Sequence, residues 1–226
     1  MTIRFPANIR VHPRPSVTLA GTSVSGGRTL SGVERIKQGD AGYWRMSLPI
    51  IILNHDNILA LRAIDAILGG RAGAIIVPVY DGSRSPGALP NYLLPNSSVP
   101  HSDGFTFSDG STYRGSIYSA SVKSSAAARA TTIVATIAQT PVVPPQPGMY
   151  FSIGDRLHRI KSVSMSGADA TMTFAPPLRY AVSAGKHIEF DDPRGTWRLA
   201  DDTGLVVPEG SFRPGQRMTI DLVEAL

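Results

Sequence analysis

The clearest pattern in the chain lies at residues 43–48, where Trp44, Met46 and Leu48 fall on one side and Tyr43, Arg45 and Ser47 on the other. A period of two predicts a half-buried strand. Pro49 is expected to interrupt it, with residues 50–53 resuming in extended form. The period then changes. Ile58, Leu61, Ile64 and Leu68 recur at spacings of three and four, which predicts one amphipathic helix over residues 54–68. Asn54 is suited to the N-cap, because its side chain can accept from an orphan N–H of the first turn, and Asp56 favours the positive end of the helix dipole. Gly69 and Gly70 end the helix, and residues 74–79 read as a buried strand stopped by Asp81-Gly82.

Shorter patterns fill the rest. Residues 17–20 predict a strand closed by Gly21, and Ser25-Gly26-Gly27 a turn. Residues 149–164 predict a hairpin about Gly154-Asp155, whose imperfect return alternation points to a bulge. Residues 171–174 alternate until Pro176-Pro177. Ile188 with Phe190, Trp197 with Leu199, and Met218 with Ile220 and Leu222 mark three more strands. Residues 1–16, with Pro6, Pro13 and Pro15, read as an extended N-terminal arm of the kind that a neighbour orders. Residues 82–147 are rich in small, polar and proline residues, with a hairpin-type turn at 105–110, strand-forming composition at 119–138 and a proline-rich hinge at 142–147; they read as a long insertion. The expected architecture is mostly β, a β-sandwich or barrel with one packed helix, built from residues 17–81 and 148–226.

Composition narrows the function. The chain has no cysteine, so packing or oligomerisation must hold it. Charged residues are 17% of the chain, few enough to suit a surface partly covered by neighbours. The net charge is +5, carried mainly by single scattered arginines, so specific nucleic-acid binding is not indicated. Residues 1–10 lack a signal-like apolar core, and no apolar run reaches the ~18 residues of a membrane span, so the chain is expected to be made in a cytoplasm.

Catalytic and metal-binding patterns are weak. His12, His55, His101, His158 and His187 show no metal-ligand spacing and read as structural or surface residues. His101-Ser102-Asp103 holds triad residue types, but sequence neighbours cannot line up as a triad. Asp191-Asp192, with Glu189, and Asp201-Asp202 are acidic groups beside turns, where aspartate caps backbone; a cation near Asp191 is the alternative. Residues 69–73 are glycine-rich but follow a helix, the reverse of a phosphate loop. Arginines stand beside aromatics at Tyr43-Trp44-Arg45, Tyr113-Arg114 and Trp197-Arg198 and could stack on bases, but alternation turns Trp44 and Trp197 toward a core or an interface. No catalytic, cofactor or metal residue is assigned, and the chain is expected not to be an enzyme.

Two sets of residues carry a resemblance. The first runs over 42–49, Gly-Tyr-Trp-Arg-Met-Ser-Leu-Pro, then a helix ending at 69–73 and a strand. The second comprises 148–160, then 174–179, then 192–200 with its Asp-Pro-Arg-Gly-Thr-Trp-Arg-Leu-Ala. Together they resemble minor structural proteins of the tail tip in long-tailed bacteriophages, the distal-tail type, over about half of the chain. The resemblance implies a virion location and a homo-oligomeric ring, a hexamer, that joins the tail tube to the hub and receptor-binding parts, with function spread over interfaces. It further implies that the arginines face neighbouring proteins or the outside, since a basic lumen would hold DNA phosphates. Residues 82–147 fall outside the resemblance. The alternatives are a tail-tube or tail-terminator subunit, with residues 100–118 as a ring-stacking hairpin; a carbohydrate-binding β-sandwich module using the aromatics of 92–118; and a cell-wall hydrolase, for which Asp191, Asp192 and His187 are the nominees.

Overall fold

In a computed structural model the described residues are 2–12, 14–39, 42–79, 119–137, 144–205 and 214–226, together with 98–99, 105, 108 and 113–114. The strands are β1 (Thr2–Arg4), β2 (Arg10–Val11), β3 (Ser16–Ala20), β4 (Ser23–Arg28), β5 (Glu34–Gln38), β6 (Tyr43–Ile52), β7 (Ala74–Pro78), β8 (Ser98–Val99), β9 (Tyr113–Arg114), β10 (Ala120–Val122), β11 (Thr132–Ile137), β12 (Tyr150–Ile153), β13 (Arg156–Ser166), β14 (Asp169–Ala175), β15 (His187–Glu189), β16 (Arg194–Leu199) and β17 (Gln216–Glu224). One α-helix, α1 (His55–Leu68), joins β6 to β7 through a single 3-10 turn at Gly70–Ala72. The fold is mostly β, with sheets, a barrel and one helix, as the periodicity predicts.

A seven-stranded sheet runs β1-β7-β16-β17-β6-β2, with β3 also on β6; β1 lies parallel to β7 and the other pairs are antiparallel. Its inner face carries Trp44, Met46, Leu48, Ile50 and Ile52 from β6, with Val77, Leu199 and Leu222, and α1 lies on that face through Ile58, Leu61, Ile64 and Leu68. Asn54 caps the helix, its side chain accepting from the Asn57 N–H at 2.9 Å, and Gly69 closes it in the left-handed region at φ 55°.

Pro49 does not break the strand, contrary to the sequence expectation: β6 runs unbroken through it. The Pro49 carbonyl accepts from the His12 N–H at 3.0 Å, so the missing proline donor faces the gap between β2, which pairs with Ile51 and Ile50, and β3, which begins opposite Ser47. An absent N–H is harmless at such a gap.

Six strands, β10-β11-β14-β13-β12-β15, form a closed barrel with a core of its own, centred on Phe151, Met172, Phe174, Ile188 and Phe190. The barrel is inserted between β7 and β16, which are neighbours in the sheet. Residues 120–137, grouped by sequence with the 82–147 insertion, supply two barrel strands, and β12 to β15, grouped with the main β domain, supply the other four. The hairpin at Gly154 is present, and its bulge falls between Ile160 and Ser162. Residues read as a free arm add β1 and β2 to the sheet, because Phe5 and Ile9 are apolar enough to plug the core beneath them.

The turn expected at residues 25–27 is not there. Gly26 and Gly27 lie inside β4, where the register with β5 shifts between Ser25 and Arg28, and the chain reverses at residues 29–32 instead. Glycines inside a strand mark a bulge as readily as a turn.

Candidate functional site

Of the residues that sequence reasoning nominated for chemistry, Glu189, Asp192 and Asp202 are engaged in holding the fold. Glu189 Oε1 accepts the backbone N–H of Asp191 at 2.9 Å and of Asp192 at 3.1 Å. Asp192 pairs with Arg194 at 2.8 Å, and Glu189 lies 3.5 Å from His187. The acidic group is thus a capped turn leading into β16. Asp202 Oδ1 accepts the Arg71 N–H at 3.1 Å and ties the loop after β16 to the turn after α1. Among the described residues no group of carboxylates and histidines could hold a metal ion. His12 and His55 are exposed on the sheet edge and the first turn of α1. His101, Ser102 and Asp103 lie outside the described residues, as do the side chains of Tyr113 and Arg114. No helix among the described residues is long and apolar enough to cross a membrane.

His158 is buried in the barrel. Its ring stacks on Phe151 at 5.3 Å and meets Phe174 edge-on at 5.0 Å. Nδ1 lies 2.8 Å from the Pro176 carbonyl, which accepts, so the neutral ring carries its proton there. Nε2 is buried without a hydrogen-bond partner. Burial pushes the imidazole down to about 4, against the opposing pull of the Pro176 carbonyl and Glu224. The ring is therefore neutral at pH 7 and serves as a packed, desolvated element.

The barrel is fixed to the sheet along β16, where the Thr196 hydroxyl donates to the Asp155 carbonyl at 3.0 Å and the Arg194 N–H to the Ser152 hydroxyl at 3.2 Å, and at a junction built on Arg179. Arg179, after β14, donates from Nε and Nη2 to the two oxygens of Glu224 in β17 at 3.0 and 2.8 Å, and from Nη2 to the Gly42 carbonyl at 2.6 Å. Glu224 also accepts the Trp44 N–H at 3.1 Å. The Trp44 indole donates to the Leu157 carbonyl at 2.8 Å, meets Tyr150 edge-on at 5.8 Å and lies under the Arg159 guanidinium at 5.6 Å. Trp44 and Trp197 are both buried, as alternation predicts.

Two surfaces remain available to partners. The first is the outer face of the sheet, the side of β6 opposite its buried residues. Register aligns Thr18, Arg45, Val223 and Arg198 across β3, β6, β17 and β16, and places Arg10 and Arg217 on either side of the buried Ile51 in a second row. An open trough of about 770 Å³ runs over the first row, bounded by Ser16, Ser47, Arg71 and Asp221. Arg45 is held upright by Tyr43, whose hydroxyl accepts from it at 2.9 Å. The face is polar and mainly cationic.

The second surface is the β4–β5 hairpin, which sequence reasoning missed. Among the described residues its strands pair only with each other. Leu30 stands fully exposed at the tip, and Val24, Val33 and Ile36 are 67%, 59% and 65% exposed. Arg28, Arg35 and Lys37 give it a basic balance against Glu34, which the Ser25 hydroxyl holds at 2.6 Å. The alternation of Arg35, Ile36 and Lys37 was the available signal, masked by the two glycines opposite.

Compared with known proteins, the chain matches no family model and no curated relative.

Proposed function

We propose that this chain is a structural subunit of a bacteriophage tail tip, of the distal-tail type, that closes into a ring joining the tail tube to the hub and receptor-binding parts. The observation that carries the reading is the β4–β5 hairpin, which holds four large apolar side chains in solvent. A two-stranded hairpin is marginal in water, and exposed apolar groups of this size mark a contact to be made. The chain completes itself by assembly. A second observation supports the reading: the segments that carry the resemblance meet in space, since Gly42 and Trp44 join Tyr150, Leu157, Arg159 and Arg179 at the barrel–sheet junction.

The test is solution mass by light scattering at two concentrations, with negative-stain images of the same sample. Closed rings of several copies are expected. A monomer that binds glycans would overturn the reading in favour of a carbohydrate-binding module. The same hairpin also suits a tail-tube subunit, and stacked rings or filaments in the images would favour that alternative.

A further inference from the structure

Alternation along β13 turns Arg156, His158 and Ile160 to the inside of the barrel. Register sets Arg156 opposite Ile153 and His158 opposite Phe151, and Phe151, Ile153 and Ile160 all belong to the barrel core. Arg156 is the first residue of β13, so it stands at the barrel's end beside the Gly154 turn, with His158 one layer deeper. The segment after β14 crosses that end and leaves a cavity of about 300 Å³ beneath it, a mouth bounded by Ile153, Arg156, His158, Leu178, Val182 and Lys186. The crossing segment is tied down. The Leu178 N–H donates to the Ala130 carbonyl at 2.9 Å, and Ala126 and Val182 exchange both backbone hydrogen bonds at 2.8 Å. The cavity is therefore pre-formed, and the mouth of a β-barrel is a common place for a small-ligand site.

The charges around this mouth are all of one sign. Arg156, Arg179 and Lys186 line it, and no carboxylate does. Glu224 neutralises Arg179. Among the described residues the partners of Arg156 are neutral: it donates to the Ala225 carbonyl, and its guanidinium lies 3.5 Å from the Tyr180 hydroxyl and 5.4 Å from that ring's centre. Lys186 is exposed. His158 adds an acceptor. Its Nδ1–H is spent on the Pro176 carbonyl, which lies outside the cavity, and Nε2 is left buried without a partner. A buried acceptor left unpaired costs free energy that an incoming donor recovers.

We propose that the barrel mouth binds a small phosphate ester that carries a hydroxyl, with the phosphate held by Arg156 and Lys186 and the hydroxyl donating to His158 Nε2. Two cations on separate elements suit a dianion with three acceptor oxygens, and Ile153, Leu178 and Val182 enclose the carbon chain between the two polar ends. Tyr180, 61% exposed beside Arg156, is the side chain that swings aside as the hydroxyl reaches Nε2. The site needs no second copy, so it goes beyond the ring reading and is tested apart from it.

The test is titration of the full chain with α-glycerophosphate and, separately, with inorganic phosphate, followed by calorimetry and by NMR of the histidine ring nitrogens. The ester is expected to bind about tenfold or more tighter, because only it spans the cavity from the cations to Nε2. It should also shift the His158 Nε2 resonance and leave Nδ1 in place. Lys186→Gln lies at an exposed position, so it should keep the wild-type melting temperature while weakening both probes by about fivefold or more, and Arg156→Gln should weaken them likewise. His158→Phe should keep phosphate binding and lose the preference for the ester. Absence of binding by either probe would overturn the proposal. Binding that neither Gln variant weakens would place the ligand elsewhere and overturn it too. Equal binding of the two probes with Nε2 unmoved would mean that the mouth holds an adventitious ion only, and the proposed site would fall.

Discussion

Removing one member of the Arg179–Glu224 pair should loosen the barrel's attachment to the sheet, leaving the Thr196–Asp155 and Arg194–Ser152 contacts along β16. The pair is bidentate, with N–O distances of 2.8 and 3.0 Å, and both side chains are largely buried. Opposite charges about 4 Å apart attract by about 4 kcal/mol at an effective dielectric near 20. The cost of taking both from water offsets part of that. Losing one partner cancels the attraction and leaves the other charge buried, so Glu224→Ala or Arg179→Ala should each cost about 3 kcal/mol. Glu224→Ala also strands the Trp44 N–H, so it should be the worse of the two. Arg179→Met with Glu224→Leu should cost less than the sum of its singles by about 2 kcal/mol, because neither residue then leaves a lone charge. The assay is urea unfolding followed by tryptophan fluorescence and far-UV circular dichroism together. Trp197 lies in the sheet and Trp44 at its junction with the barrel, so fluorescence reads the sheet and that junction, and dichroism reads every strand. The wild type should show coincident transitions, and the single variants should show a fluorescence midpoint lower by about 1–2 M and two separated transitions. Additive singles, with a coupling under about 0.5 kcal/mol, would refute the reasoning, since the pair would then hold nothing together.

Other predictions follow from single positions. His158 titrates at about 4 in the fold against 6.5 unfolded, so the unfolded chain binds more protons between those values. The stability of the neutral ring is thus fully present above pH 6.5 and is lost as pH falls toward 4, by about 3 kcal/mol in all; urea midpoints from pH 7 to 4 should fall more steeply for wild type than for His158→Phe, and equal slopes would count against it. Gly73→Ala should lower the melting temperature, with a cost of about 1–3 kcal/mol, because its Cβ would lie 2.6 Å from the backbone of Leu68. Asn57→Ala should cost about 1–3 kcal/mol by chemical denaturation, since the buried side chain accepts from the Leu53 N–H at 3.0 Å and donates to the Asn8 carbonyl at 3.2 Å.

The parts of the fold legible in the sequence are those fixed by local chemistry. Asn54 and Gly69 bracket α1 because capping depends on residues a few positions apart, and β6 shows its period because one face meets a continuous core. The barrel was harder to read. β10 and β11 are built from Ala, Ser, Thr, Val and Ile, and small residues such as Ala120 and Ala135 fill the interior of a narrow barrel while giving little alternation of hydropathy. Arg179 and Glu224 carry no local signal of their pairing, because 45 residues separate them. The hairpin was hidden by its glycines, Gly26 and Gly27, which lie at a register shift inside β4 and interrupt the alternation there.

The division of the molecule makes the assembly separable from the barrel. The hairpin and α1 both belong to the sheet: β4 and β5 lie in the chain between β3 and β6, and α1 packs on the inner face. The barrel meets the sheet through the insertion between β7 and β16, the junction at Trp44, Arg179 and Glu224, and the contacts of Ser152 and Asp155 with Arg194 and Thr196. A heterologous ring closes when the rotation from one copy to the next is fixed, and here that rotation would be set within the sheet and its helix. The barrel can then be held outside the ring contact and face another protein. Arg179→Ala should therefore loosen the barrel, as two separated unfolding transitions report, while leaving the mass by light scattering equal to wild type. Loss of self-association in that variant would mean that the barrel takes part in the proposed ring contact and that the two bodies assemble as one.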